Sequence, residues 1–257
     1  MLSEAKHKTF SSPDTKEIVL EVKHLRKAFG PNLVLNDFNL HLNKGENLVV
    51  LGKSGSGKSV LIKCIIGLME PDSGSIKVLG ENIPELNSEQ LDRIRVRVGF
   101  LFQSNALYDS MTVRENLEFP LRRHWMHQSQ KEVDDMVMEA LNNVGLGHTV
   151  DMMPIELSGG MRKRVALART LILRPEIIMY DEPTTGLDPI TSKEISELIV
   201  EIQEKYKASS IIITHDPRCV ELTADRVIVL IDGKCYAQGS VEEMKSSHDP
   251  RLKHFFE

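Results

Sequence analysis

The sequence predicts an α/β domain around a mainly parallel sheet, with a helical block inserted part-way along. Three observations predict it. Short, continuously apolar runs ("LVVLG", "EIIMY", "SSIIIT") read as strands buried on both faces. Segments of helical period alternate with them, as in βα units. From about Gln103 to Leu157 no such run occurs, while helical periodicity persists.

The elements follow in chain order. Residues 1–16 are polar, lack the apolar stretch of a secretory signal, and read as a flexible tail. "EIVLEVKHL" and "VLNDFNLHL" alternate apolar and polar residues, as half-buried strands do. "NLVVLG" is a buried strand that runs into a glycine-rich loop and the helix "KSVLIKCIIGL". "GSIKVLG" and "RVGFLFQ" are further strands. "TVRENLEF" and "QKEVDDMVMEALNNVGL" are the helices of the insert, with Gly145 as the stop of the second. "EIIMYDE", "SSIIITHD" and "DRVIVLIDGK" return to buried strands with helices between them. Asp188 and Pro189 fit an N-cap and the first helical position of the helix that runs to about Lys205. Asp232-Gly233 reads as a hairpin turn, and "SVEE" from Ser240 as a capping box opening a last short helix. The domain is expected to span residues 17–245, leaving 246–257 as a C-terminal tail.

Composition narrows the function classes. A net charge of −5 argues against nucleic acid held by bulk charge. Cys64, Cys219 and Cys235 are odd in number and far apart, which fits free thiols in a reducing compartment. No apolar run reaches the roughly 18–20 residues that cross a bilayer. The expectation is a cytosolic chain, or one held at a membrane only through partners.

The chemistry starts at "GKSGSGKS": Gly52, Lys53, Ser54, Gly55, Ser56, Gly57, Lys58 and Ser59. It is a complete G-x-x-x-x-G-K-[ST] loop between a strand and a helix. Its glycines let successive N–H groups converge on one anion, and the helix adds the positive end of its dipole. Lys58 suits the β- and γ-phosphates of a nucleotide, and the Ser59 hydroxyl suits Mg²⁺. "IIMYDE" supplies the complement: Asp181 for Mg²⁺, and Glu182 to orient or deprotonate an attacking water. That pairing points to hydrolysis rather than transfer to a second substrate.

A second glycine motif, "LSGGMRKRVALART", opens another helix about a hundred residues later. One phosphate group needs only one such loop. "LSGGM" resembles the signature of the ATP-binding cassette ATPases, which usually ends in Gln where this chain has Met161. The resemblance covers about residues 17–239. It implies a P-loop NTPase (RecA-like) core, an N-terminal antiparallel β subdomain and an inserted α-helical subdomain. It also implies that two copies pack head to tail. Each ATP then lies between Gly52–Ser59 of one chain and Ser158, Gly159 and Gly160 of the other.

Other positions match the family one by one. Phe29 falls where an aromatic stacks on adenine, with core packing as the alternative. Gln103 resembles the glutamine that senses Mg²⁺ and the attacking water. Asp188, in "GLD", belongs to the loop that crosses the dimer interface. His215 resembles the switch histidine on the γ-phosphate.

"LFQSNALYDSMTVRENLEFPLR", the Lys163-Arg164 pair, "GLDPITS" and the ending "DPRLKHFFE" resemble the ATPases of the Mla/Mce lipid-trafficking systems and their chloroplast relatives. That likeness implies a peripheral subunit on the cytoplasmic face of the inner membrane. It would work beneath an integral-membrane permease dimer, with an MCE-domain lipid-binding protein beyond. Leu107, Tyr108, Met111, Leu117, Phe119 and Trp125 are expected on the face that meets the permease, with packing inside the insert as the alternative for Trp125. A cassette ATPase serving a small-solute importer, such as one for amino acids, would carry the same core motifs. One acting on DNA would carry coiled coils or a zinc insert, and one acting on ribosomes a second cassette. Neither feature is found here. A regulatory ATPase that transmits force without transport is a further alternative.

Overall fold

The computed structural model describes residues 17–124 and 128–256, so Trp125 lies outside the described residues. Two sheets organise the chain. The first opens with β1 (Ile18–Phe29) and β2 (Asn32–Asn43), an antiparallel pair turning at Gly30. β3 (Asn47–Leu51) then leaves this sheet for the second, and α1 (Lys58–Ile65) follows it. β4 (Ser73–Val78) and the short β5 (Glu81–Asn82) return to the first sheet, giving the antiparallel order β2-β1-β4-β5.

α2 (Ser88–Arg97) leads into β6 (Val98–Leu101). The insert holds α3 (Val113–His124) and α4 (Gln130–Asn142). Gly145 ends the latter as expected: it takes φ +72°, and the Leu146 N–H returns to the Leu141 carbonyl at 2.8 Å. α5 (Gly159–Leu171) carries the chain back to β7 (Ile177–Asp181). There follow α6 (Pro189–Tyr206), β8 (Ser209–Thr214), α7 (Pro217–Thr223), β9 (Arg226–Ile231) and β10 (Lys234–Gly239). The second sheet has the order β10-β9-β3-β8-β7-β6. All its neighbours are parallel except the β10 edge. Asp232 (φ +50°) and Gly233 (φ +73°) make the β9–β10 turn.

Strand alternation divides the core. Val49, Leu51, Ile178, Tyr180 and Ile212 face a cluster shared with α5, α6 and the insert. Leu48, Val50, Met179, Ile211 and Ile213 face α1 and the antiparallel sheet. Both faces of these strands are covered, which is why their sequences are unbroken apolar runs. Each fully buried side chain of this kind contributes about 1.5–3 kcal/mol. β3 lies in the middle of the sheet, so the loop it feeds emerges from the most constrained part of the molecule.

Two segments differ from the sequence expectation. α2 has no counterpart in it: of its ten residues only Ile94 is buried, so no apolar period marks it, although an Asn87/Gln90 capping box starts it. The segment read as a C-terminal tail is docked. After α8 (Val241–Ser246), which Ser240 and Glu243 cap, comes α9 (Pro250–Lys253) with Leu252 buried. Phe255 and Phe256 pack partly against the core, and the Tyr236 hydroxyl donates to Asp249. Among the described residues no helix is long and apolar enough to cross a membrane.

Candidate functional site

The loop Gly52–Ser59 wraps the start of α1. Gly55 (φ +78°) and Gly57 (φ +103°) take left-handed conformations, and a Cβ on Gly57 would meet Val34 Cγ1 at 2.9 Å. Gly52 is crowded: its Cβ would lie 2.7 Å from Ser56 Oγ and 3.0 Å from the Leu230 carbonyl oxygen of the backbone. Lys58 is buried, and its ammonium donates to the carbonyls of Gly52 (2.7 Å) and Lys53 (3.0 Å). Burial pushes its pKa down, against the pull of Glu182, whose Oε1 lies 3.6 Å away.

β7 brings in the acids. Asp181 ends the strand, and Ser59 Oγ lies 3.5 Å from its Oδ2. Its Oδ1 is buried without a hydrogen-bond partner. Burial and the adjacent Glu182 raise the Asp181 pKa. A hydroxyl and a carboxylate with an unused buried oxygen form the hard oxygen set that Mg²⁺ prefers. Among the described residues no cluster of three or more His, Cys, Asp or Glu offers a metal site. A cation here would complete its shell with phosphate oxygens and water.

Glu182 is held from several sides. It is buried, and its backbone sits at φ +50°, a costly conformation for a side chain of this size. Its N–H bonds the Ile213 carbonyl of β8 at 2.8 Å. His215 Nδ1 lies 2.8 Å from Oε2, and Thr185 Oγ1 donates to the same oxygen at 3.2 Å. With the proton on Nδ1, the half-exposed imidazole leaves Nε2 as a free acceptor. Thr185, in "DEPTTGLD", is a site residue the sequence reading missed. Its contact exists only because the turn after β7 folds back on Glu182.

Lys58, Ser59, Gln103, Glu182 and His215 line one cavity of about 430 Å³. Phe29 ends β1 and is 46% exposed, so the core-packing alternative does not hold. The Lys27 ammonium lies 5.7 Å from its ring centre.

The second glycine motif is elsewhere. Ser158 caps α5, its Oγ accepting from the Met161 N–H at 3.2 Å, and Gly159 and Gly160 form the first turn. None of the three lines the cavity around Lys58. Their neighbours are at the start of α6, where Asp188 caps the helix by accepting from the N–H groups of Ile190 and Thr191. In one protomer the two glycine loops therefore do not meet around the cavity. Lys163, on the next turn of α5, is only 2% exposed despite its charge, and burial brings its pKa down to about 8. The sequence reading placed it on a basic helix and did not foresee this.

A scan against family models matches residues 35–185 to the ABC transporter model. This chain belongs to the ABC transporter family. The cassette is 41% identical to a probable ribonucleotide transport ATP-binding protein, mkl, of Mycobacterium leprae, over 93% of its own length and 68% of the relative's. It is 38% identical to the intermembrane phospholipid transport system ATP-binding protein MlaF of Haemophilus influenzae, covering 92% of the cassette and 89% of MlaF. Among solved structures, the dimeric post-hydrolysis state of the cassette MJ0796 bound to ADP and Pi superposes with a TM-score of 0.79 at 30% identity. That match covers 86% of this chain and 98% of that one. The fold is that of an ATP-hydrolysing cassette, and the chain is an ABC transporter ATPase subunit.

Proposed function

We propose that this subunit hydrolyses ATP in a head-to-tail dimer and powers lipid trafficking through a membrane permease. One observation carries the dimer reading: Ser158, Gly159 and Gly160 do not line the cavity that holds Lys58 and Glu182, so a phosphate gripped by both loops has to be shared between two chains. The dimeric state of the MJ0796 relative supports it.

Within each site, Lys58 and the loop N–H groups bind the phosphates, and Phe29 stacks on the base, a contact typically worth about 1–3 kcal/mol. Ser59, Asp181 and Gln103 would hold Mg²⁺, which neutralises phosphate charge when bound. Glu182 takes the proton of a water attacking the γ-phosphorus as the bond to ADP breaks. His215 and Thr185 fix the Glu182 carboxylate, and His215 lines the same cavity as Lys58. Asp188 positions the loop that meets the partner chain. Glu182→Gln should lower kcat about 10²–10⁴-fold and accumulate an ATP-bound dimer on gel filtration. Turnover at the wild-type rate would remove Glu182 from the base role.

The docking face lies between the sheet edge and the insert. Tyr108 and Phe119 pair there at 4.8 Å, and with Phe100, Phe102 and Pro120 they line a groove of about 280 Å³. Tyr108, Phe119 and Phe102 are all exposed, as a surface for a permease's cytosolic helix requires. Leu117, assigned to this face from sequence, is fully buried and belongs to the core. The lipid reading rests on the likeness to MlaF across nearly the whole of both chains, and brings with it an MCE-domain partner and a place on the cytoplasmic face of the inner membrane. A small-solute reading is kept because mkl carries a ribonucleotide-transport name. Purification in mild detergent with mass spectrometry of co-purifying proteins separates them. A permease with an MCE-domain protein supports lipid trafficking; a solute permease without one overturns it.

A further inference from the structure

The loop from Gln103 to Tyr108 joins three parts of the proposed mechanism: Gln103 lines the nucleotide cavity, Tyr108 lines the docking groove, and the backbone between them links the core to the insert. Its conformation is unfavourable by itself. Asn105 (φ +65°) and Ala106 (φ +50°) are consecutive non-glycine residues in the left-handed region.

What holds it is a set of cations on α5. Lys163 donates to the Gln103 carbonyl at 2.9 Å. Arg169, less than two turns further along, donates to the Ala106 carbonyl at 2.8 Å and the Asn105 carbonyl at 3.0 Å, and its guanidinium lies 6.0 Å from the Tyr108 ring centre. Hydrogen bonds from charged donors are the stronger class. The far end of the loop is tied to α3 by buried Asn116, which accepts from the Tyr108 N–H at 2.8 Å and donates to the Tyr108 carbonyl at 3.1 Å.

We propose that Lys163 and Arg169 are positioning residues: a clamp through which the signature helix dictates the shape of the Gln103–Tyr108 loop. The first turn of α5 is Gly159-Gly160. In the dimer reading, on which this inference rests, that turn serves the partner's nucleotide, whereas Gln103 serves the chain's own. The clamp is thus a rigid connection between the two nucleotide sites, made inside one protomer, and it passes next to the docking groove.

The test uses the full chain. Hydrogen exchange of amides 103–108 is compared in wild type, Arg169→Gln, Lys163→Met and a control, Arg164→Gln, whose guanidinium binds the Val144 carbonyl and Glu194 instead. ATPase rates and binding of a fluorescent ATP analogue are measured alongside. Loss of either clamp residue should speed exchange of the loop about tenfold, as expected for local opening released by lost charged hydrogen bonds. It should lower kcat while KM and analogue affinity stay within about twofold. Adding Ala106→Gly to Arg169→Gln should restore much of both, because glycine adopts the left-handed conformation freely. Unchanged exchange, equal loosening by Arg164→Gln, or no rescue by Ala106→Gly would overturn the clamp. Should Lys163→Met fail to fold, partly exposed Arg169 still decides the matter. The exchange readout needs no ATP turnover: a loop that loosens in a protein without ATPase activity would support the clamp and sink the catalytic reading, and the reverse pattern would do the opposite.

Discussion

The two glycine loops of this chain use the same residue for different reasons. In the first, Gly55 and Gly57 sit at positive φ, and Gly52 and Gly57 lack space for a side chain within their own protomer. In the second, Gly160 is crowded by Thr191 at 2.6 Å, but Gly159 has neither excuse: it begins a regular helix, and a Cβ there would meet only Leu187 at an ordinary 3.9 Å. A glycine at a helix start loses stability relative to alanine without gaining anything inside the chain. In the proposed dimer its reason lies outside the protomer. On that reading, the difference separates glycines that build a site from glycines that would admit a partner's ligand.

That contrast can be broken by substitution. The largest expected effect is at the first loop's cation: Lys58→Ala should weaken ATP-analogue binding to the isolated protomer by about 1.5–3 kcal/mol, roughly 10- to 150-fold, in a fluorescence titration. Affinity at the wild-type level would deny the loop its phosphate role. Next, Gly57→Ala should lower stability to denaturant by about 1–3 kcal/mol, because it adds strain at φ +103° and a clash with Val34. The smallest effect on stability is the most informative. Gly159→Ala should leave the free energy of unfolding unchanged or raise it by less than about 1 kcal/mol, yet abolish ATP-dependent dimerisation by light scattering. If Gly159→Ala destabilises the monomer as Gly57→Ala does, the division between the two loops fails.

Legibility followed the range of the interaction that decides each feature. The strands Asn47–Leu51 and Ile177–Asp181, the caps at Asp188 and Ser240, and the Asp232-Gly233 turn are decided by neighbours in sequence, and all could be read there. The phosphate loop was legible because its spacing is itself the geometry. Thr185 on Glu182 and Lys163 on the Gln103 carbonyl were not, since each depends on a fold that brings distant or reversed segments together. A lysine in a run of basic residues looks solvated until the loop above it is in place. Leu117 was misassigned for the same reason, because an apolar residue on an amphipathic helix does not announce which neighbour covers it. Helix α2 was lost because it is marked by its Asn87 capping box and by Arg95, which donates to the distant Ile66 and Gly67 carbonyls, and it buries too little for an apolar stripe.

The backbone at Glu182 has a consequence for anyone who would breed a hardier form of this protein. Its left-handed φ is a standing strain of order 1–3 kcal/mol, carried at the very residue proposed to take the water's proton. Selection for heat resistance alone would favour whatever relaxes that position, and Gly and Asn, which adopt it most readily, have no carboxylate. Laboratory evolution of this protein would therefore need an assay of turnover at every round, or its survivors would be robust and inert.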